Sequence, residues 1–256
     1  MYKLPVWQTV ADSYRFTFGN IGLLIKISLI WLIVSYAIGF VIGVAIGLTG
    51  SPGVWLNLFL VKVVPWLVGL IAISAVAVAW HRACLLEDRT TGLFAAPLSK
   101  RVWKFFVVSI VFTGLGYLLF FLVSMLIFKL GGSATFTLGA VLAAFLLIVL
   151  VFVRLNLLFP AIAIESVSVT MERSWHLTKG NAWRLILGNL ACFLPVSVAA
   201  RFFVDWSGEL TEAGQWLLAS AIAFVGQALA FLTVALLAAF LSFAYKKLVP
   251  EMREES

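Results

Sequence analysis

The sequence predicts an all-α fold: a polytopic membrane bundle of six transmembrane helices arranged as three hairpins, with amphipathic helices at the membrane interface. Three observations lead there. The 256 residues are 63% hydrophobic and only 11% charged, with a mean hydropathy of +1.11. A soluble domain carries about 25% charged residues, so this chain cannot cover a water-facing surface. The apolar residues gather in six runs, each long enough to cross a ~30 Å hydrocarbon core at about 1.5 Å per residue. The runs are continuous rather than alternating, which excludes transmembrane strands. Residues 1–256 read as one integral membrane domain, because the spans leave no stretch long enough for a soluble catalytic domain.

Taken in order, Trp7, Val10, Tyr14 and Phe18 recur at helical spacing opposite Gln8, Asp12 and Arg15. This predicts an amphipathic helix over about 5–19, lying on the membrane surface. The first span is expected at Ile21–Leu48; it is too long for the apolar core of a cleavable signal and should be retained. Within it Ser35, Gly39, Gly43 and Gly47 form a small-residue stripe that lets a helix pack closely, from the same bundle or from a second copy. Val64–Leu86 follows a segment containing Lys62, read as a short interfacial helix with a snorkelling lysine. Val102–Phe128 comes next, with Ser99 placed to cap it. The fourth span, Thr137–Val153, is interrupted by Arg154; Leu155–Phe159 is expected to prolong the helix while the guanidinium snorkels to the headgroups. Ala182–Val204 carries Pro195, an expected kink, and Trp216–Tyr245 completes the set ahead of a short polar tail over 250–256.

Orientation follows from the cations. With the N-terminus in the cytoplasm, fifteen of the eighteen Lys and Arg fall inside and only Lys62, Lys129 and Arg201 outside, as the positive-inside rule asks. Both termini are therefore expected in the cytoplasm, in a bacterial inner membrane. The net charge of +7 suits an anionic leaflet, and no module for nucleic acid is visible. Nine of the ten tryptophans, Trp31 excepted, fall near a predicted membrane boundary, as belt residues do. Cys84 and Cys192 lack metal spacing and read as packing residues.

An internal echo recurs at an offset of 161 residues. Ser13-Tyr14-Arg15-Phe16-Thr17-Phe18-Gly19-Asn20 precedes the first span, and Ser174-Trp175-His176-Leu177-Thr178-Lys179-Gly180-Asn181 precedes the fifth. Each reads as a corner: a surface helix ended by a left-handed Gly, then an Asn capping the next span. In the second corner, about 165–181, Met171, Trp175 and Thr178 line one side, while Glu172, Arg173 and Lys179 reach water. Ser99-Lys100-Arg101-Val102-Trp103-Lys104 is a weaker third copy. Both clear corners enter spans running the same way, so the repeat is parallel.

The run Arg154-Leu155-Asn156 through Pro160 to Glu165, together with Arg173 to Arg184, resembles a bacterial membrane-protein family. It is similar to the membrane domain attached to some glycerophosphodiester phosphodiesterases and to the stand-alone YciC-type proteins. The resemblance rests on Pro160, Glu165, Ser174, Trp175, Thr178, Lys179, Gly180 and Asn181. It implies a multi-helix bundle without the phosphodiesterase barrel, which has no counterpart here.

Arginines at a membrane boundary bind phosphate in a fork, and a helix N-terminus adds donors. Arg154, Arg173, Trp175, Lys179, Gly180, Asn181 and Arg184 are thus the candidate site, either holding an anionic lipid headgroup or fixing the corner. No H-E-x-x-H, P-loop or G-x-S-x-G pattern occurs, so no catalytic residue, metal or cofactor is expected. His81 and His176 read as solvated interfacial groups. No acidic residue falls inside the six runs, which argues against proton-coupled transport. Asn189 and Gln227 sit at different depths and are not expected to pair. The sequence thus points to a non-enzymatic scaffold or lipid-interacting module, with membrane lipids, a second copy or other membrane proteins as partners. The alternative is a transporter or permease-like component for an amphiphile.

Overall fold

The computed structural model describes residues 2–50, 53–88, 99–131, 133–167 and 169–254, among which there are helices and no strand. Arg89 and the last two residues of the predicted tail lie outside them. Six helical segments are long and apolar enough to cross a membrane: Ile21–Ile46, Val54–Leu86, Lys100–Leu130, Ala134–Ala163, Ala182–Glu212 and Trp216–Leu248. The chain is an all-α, multi-pass membrane protein.

The helices are α1 (Val6–Gly19), α2 (Ile21–Thr49), α3 (Val54–Leu58), α4 (Val64–Leu86), α5 (Lys100–Leu130), α6 (Ala134–Val153), α7 (Leu158–Ala163), α8 (Met171–Leu177), α9 (Ala182–Glu212), α10 (Trp216–Leu248) and α11 (Pro250–Glu254). The second span begins ten residues earlier than the sequence suggests. A π turn at Phe59–Val63 joins α3 to α4 without a break, so Lys62 belongs to the span and not to a separate interfacial helix. Pro65 has no N–H for the carbonyl of Val61, and its ring would crowd it; a widened turn at this point accommodates both. The Ser99 hydroxyl caps α5 by accepting from the Val102 amide. The fifth helix continues past Val204 to Glu212, extended by the pair of Arg201 and Asp205 one turn apart, with Nε–Oδ2 2.9 Å.

The fourth span is prolonged beyond Arg154, to Ala163, but not as one unbroken α-helix. The helix ends at Val153, residues 154–157 form a turn, and α7 then packs against α4, α5 and α10. The cause lies in one carbonyl. The Arg154 oxygen accepts from the hydroxyls of Ser174 at 2.8 Å and Thr178 at 3.1 Å, while the amide of Leu158 bonds Leu155 instead.

Buried side chains concentrate at the end of the bundle that carries α1 and α8. In α2 they are Leu24, Ile27, Ser28 and Leu32; in α4 they run from Ala72 to Leu85. In α10 most lie between Phe231 and Leu248. The α5–α6 hairpin contributes only Val102, Phe105 and Val153, so its remainder stands away from the core. Half of the most apolar stretch of α10 is buried, against 6% for the first, third and fourth spans. Close approach in this centre depends on small residues: a Cβ added at Gly188 of α9 would overlap the ring of Phe240 on α10.

Of the predicted stripe on α2, Gly39 and Gly43 do not pack within the described residues. A Cβ at Gly39 or Gly43 would meet nothing within 4 Å, and Ser35 and Gly39 line a cavity instead. The reason is that α2 joins the core only through its first half. The surroundings of Gly47 lie outside the described residues. Trp80, read as a belt residue, is wholly enclosed, with its ring edge-on to Phe16 at 5.7 Å.

Candidate functional site

The second corner is built around a cation that turns inward. Arg154 lays its guanidinium over the Trp175 indole, Cζ 3.7 Å from the ring centroid, and donates from Nη2 to the Trp175 carbonyl at 2.6 Å. It does not snorkel outward: the turn at 154–157 aims it at α8, where stacking and a charge-assisted hydrogen bond replace water. Thr170 caps α8, its hydroxyl accepting from the Arg173 amide at 3.2 Å. The face of α8 that packs is Ser174, with Thr178 just beyond the helix; Met171, expected on that side, is exposed.

Asn181 is buried and works as a bracket. Its Oδ1 accepts from the Leu4 amide and its Nδ2 donates to the Tyr2 carbonyl, both at 2.9 Å. Arg184 Nη1 donates to the Leu4 carbonyl at 2.9 Å. Together they clasp residues 2–4 to the start of α9. This corrects the expected caps, because neither Asn20 nor Asn181 caps its span with a side chain. Asn20 turns back to the Phe16 carbonyl at 2.8 Å. Gly180 is left-handed at φ 73°, as the echo suggests, but Gly19 is helical because α1 runs on to it.

What the two corners share is a pair of hydroxyls. Ser13 and Thr17, like Ser174 and Thr178, are all fully buried. In α1 the packed residues are Thr9, Val10, Ser13 and Thr17, set against α9 and α10, while Trp7 and Phe18 are exposed. Tyr14 joins the packed side by donating its hydroxyl to the Ala191 carbonyl at 3.0 Å, and burial raises its pKa above the usual 10.0. The chain's other end is tied in as well. Lys247 Nζ pairs with Asp12 at 3.0 Å and donates to Thr9 Oγ1 at 3.2 Å, and Arg173 pairs with Glu251.

Of the predicted site residues, Arg154 and Trp175 meet each other, Asn181 and Arg184 meet the N-terminal strap, and Arg173 meets α11. Lys179 is exposed and joins none of these contacts; Gly180 supplies the turn. The arrangement clasps the chain to itself. His81 is not solvated: α4 buries it, with Nδ1 2.8 Å from Ser242 Oγ on α10. His176 is exposed on α8. Both cysteines are buried and free. Among the described residues no three of His, Cys, Asp or Glu gather to hold a metal ion.

Besides a space of about 520 Å³ along Lys100, Trp103, Lys104 and Ile162, three lined spaces lie along the bundle, the second of them beside the turn at 154–157. One of about 390 Å³ runs between α5 and α6 along Phe112, Phe120, Phe145 and Phe152. Another of about 340 Å³ lies between α6, α9 and α10, and includes Asn156 and Asn189. A third, of about 630 Å³, is an open recess bordered by α2, α4, α9 and α10 and includes Gln227. Asn189 and Gln227 thus belong to different spaces.

No family model, curated protein or solved structure matches the chain.

The third space escapes a reading of motifs because its lining comes from four helices far apart in sequence. Its only local signal is that Ser35, Tyr36 and Gln227 place polar atoms in the middle of apolar spans.

Proposed function

We propose that this chain is a non-enzymatic, lipid-interacting scaffold of a bacterial inner membrane, with both ends in the cytoplasm. The observation that carries the reading is the division of the bundle into a locked end and an open one. At the locked end the strap, the Arg154–Trp175 stack and the Lys247–Asp12 pair hold the termini against α9 and α10. Away from that end the α5–α6 hairpin leaves the core and presents an aromatic-lined groove, and a second groove opens between α6, α9 and α10. Grooves of this kind suit acyl chains, since tails and side chains are equally apolar and shape alone decides the packing.

The assignment of fifteen of the eighteen Lys and Arg of the sequence to one side of the six spans supports a cytoplasmic orientation of the ends. The likeness of residues 154–184 to the phosphodiesterase-linked and YciC-type membrane domains supports a bacterial origin and lends no hydrolase activity. Native mass spectrometry of the full chain after detergent exchange tests the reading. Phospholipid retained at a defined ratio is the expected result; loss of all lipid from a still-folded chain would sink it. Reporter fusions at each end test the orientation.

A permease-like role for an amphiphile is the second reading, favoured by the cavity between α2, α4, α9 and α10. Vesicle uptake driven by an amphiphile gradient separates it from the scaffold.

A further inference from the structure

The cavity between α2, α4, α9 and α10 has a volume of about 630 Å³, within the ~300–1,000 Å³ range of small-molecule sites. Its lining runs along α10 from Ser220 to Gln227, eleven residues beyond Trp216. At about 1.5 Å per residue, the Gln227 amide stands ~16 Å from the start of that helix, deep in the span. Polar groups at such depth face a protein interior or a bound ligand, because lipid cannot satisfy them.

The hydrogen-bonding inventory decides the ligand class. The Ser207 and Ser220 hydroxyls donate to the carbonyls of Val204 at 2.7 Å and Trp216 at 2.9 Å. Tyr36 donates across to the Ser220 carbonyl at 3.3 Å. Each hydroxyl has committed its one proton, and its oxygen lone pairs remain to accept. Ser35 and the Gln227 amide also line the space and make no hydrogen bond to the described residues. The wall therefore offers several acceptors, together with one amide and one hydroxyl that can donate.

No charged residue lines the space; Arg201, one turn before Val204 on α9, is exposed and paired with Asp205. A phosphate would find no partner here. Phe40, Pro65, Val204 and Ala223 give the remaining wall an apolar character. Two glycines hold the room open: a Cβ at Gly39 on α2 or at Gly69 on α4 would meet nothing within 4 Å.

We infer that this cavity binds a lipid alcohol of the diacylglycerol class, an amphiphile with a small uncharged head bearing a free hydroxyl. The hydroxyl donates its proton to one of the serine or tyrosine oxygens, the ester oxygens accept from Gln227, and a chain lies along the apolar wall. The inference rests on the lipid-interacting reading and names its ligand.

The test uses the full chain in nanodiscs with a photoreactive diacylglycerol, and with dioleoylglycerol, phosphatidylglycerol or an isoprenoid quinone as competitor. Labelled peptides should come from α2 and α10, and dioleoylglycerol should compete at least tenfold better than the other two. Gly39→Leu and Gly69→Leu, which add bulk to the space at positions where a Cβ meets nothing, should each cut labelling tenfold or more, and Gln227→Leu should do the same by removing the donor. Lys100→Ala with Lys104→Ala should leave it unchanged. Labelling undiminished in folded Gly39→Leu and Gln227→Leu, labels mapped to other helices, or equal competition by phosphatidylglycerol or the quinone overturns the inference. If the fillers do not fold, the position of the label in the unaltered chain decides. Phospholipid retained without diacylglycerol labelling removes this site and leaves the scaffold; retention of no lipid at all removes the scaffold itself.

Discussion

Arg154 and Trp175 lie face to face, guanidinium on indole at 3.7 Å, with the same arginine bonded to the carbonyl of the same tryptophan. A lysine could supply the charge but not the flat stack or the fork. Arg154→Lys should therefore destabilise the full chain by about 1–2 kcal/mol. Arg154→Lys with Trp175→Leu should cost less than the two single changes added, the sign of direct coupling. Thermal unfolding in detergent reads both effects, and strict additivity would refute the stack.

Gly188 and Gly39 should respond oppositely to the same substitution. At Gly188→Ala the new methyl meets Phe240, an overpacking that typically costs about 1–3 kcal/mol. Phe240→Leu in the same chain should recover part of the loss. Gly39→Ala meets nothing and should be neutral, or stabilising by about 0.5–1 kcal/mol through a stiffer helix. Melting temperatures compare the pair, and equal losses at the two sites would contradict the packing described.

Removing the bracket should free the strap. Asn181→Leu strips the partners from the Leu4 amide and the Tyr2 carbonyl, and a buried hydrogen bond lost this way costs about 1–3 kcal/mol. Hydrogen exchange at residues 2–5 should rise about tenfold or more, because each 1.4 kcal/mol is roughly one decade. Exchange in α5 should stay as it was. A strap still protected in the variant would mean that Asn181 does not hold it.

The tie between Arg173 and Glu251 should respond to acid. The Arg173 hydrogen bond, with a lesser contribution from the backbone, holds the Glu251 carboxyl below its ordinary 4.5. A depressed carboxylate supports docking above its ordinary pKa, and the support disappears as pH falls through the lowered value. Protection of α11, measured by hydrogen exchange corrected for intrinsic rate, should thus be flat from about pH 8 to 5 and decline only below the ordinary carboxylate range. Arg173→Gln should remove that decline.

The six spans were legible because hydropathy summed over twenty residues is a local property. The start of the second was not, since Lys62 and Pro65 look like punctuation and only the π turn shows the helix passing through them. The face of α1 that packs on α9 and α10 was not legible, because the periodicity of the large apolar residues Trp7 and Phe18 marks the exposed, surface-lying side, while small residues such as Ser13 and Thr17 make the helix contacts. The echo correctly marked Ser174, Thr178 and Gly180 as a corner. That Arg154 would turn back onto Trp175, or Asn181 onto Tyr2 and Leu4, depended on long-range geometry that no single segment carries.

The most enclosed helix, α10, is also the last of the six to leave the ribosome. Its neighbours α2, α4 and α9 must wait in the bilayer with their meeting faces unfilled, and residues 2–4 cannot be fastened until α9 has arrived behind them. Assembly of the bundle is thus a closing event that waits for the sixth span, and a chain stalled before α10 would expose those unfilled faces to whatever surveys the membrane for unfinished proteins.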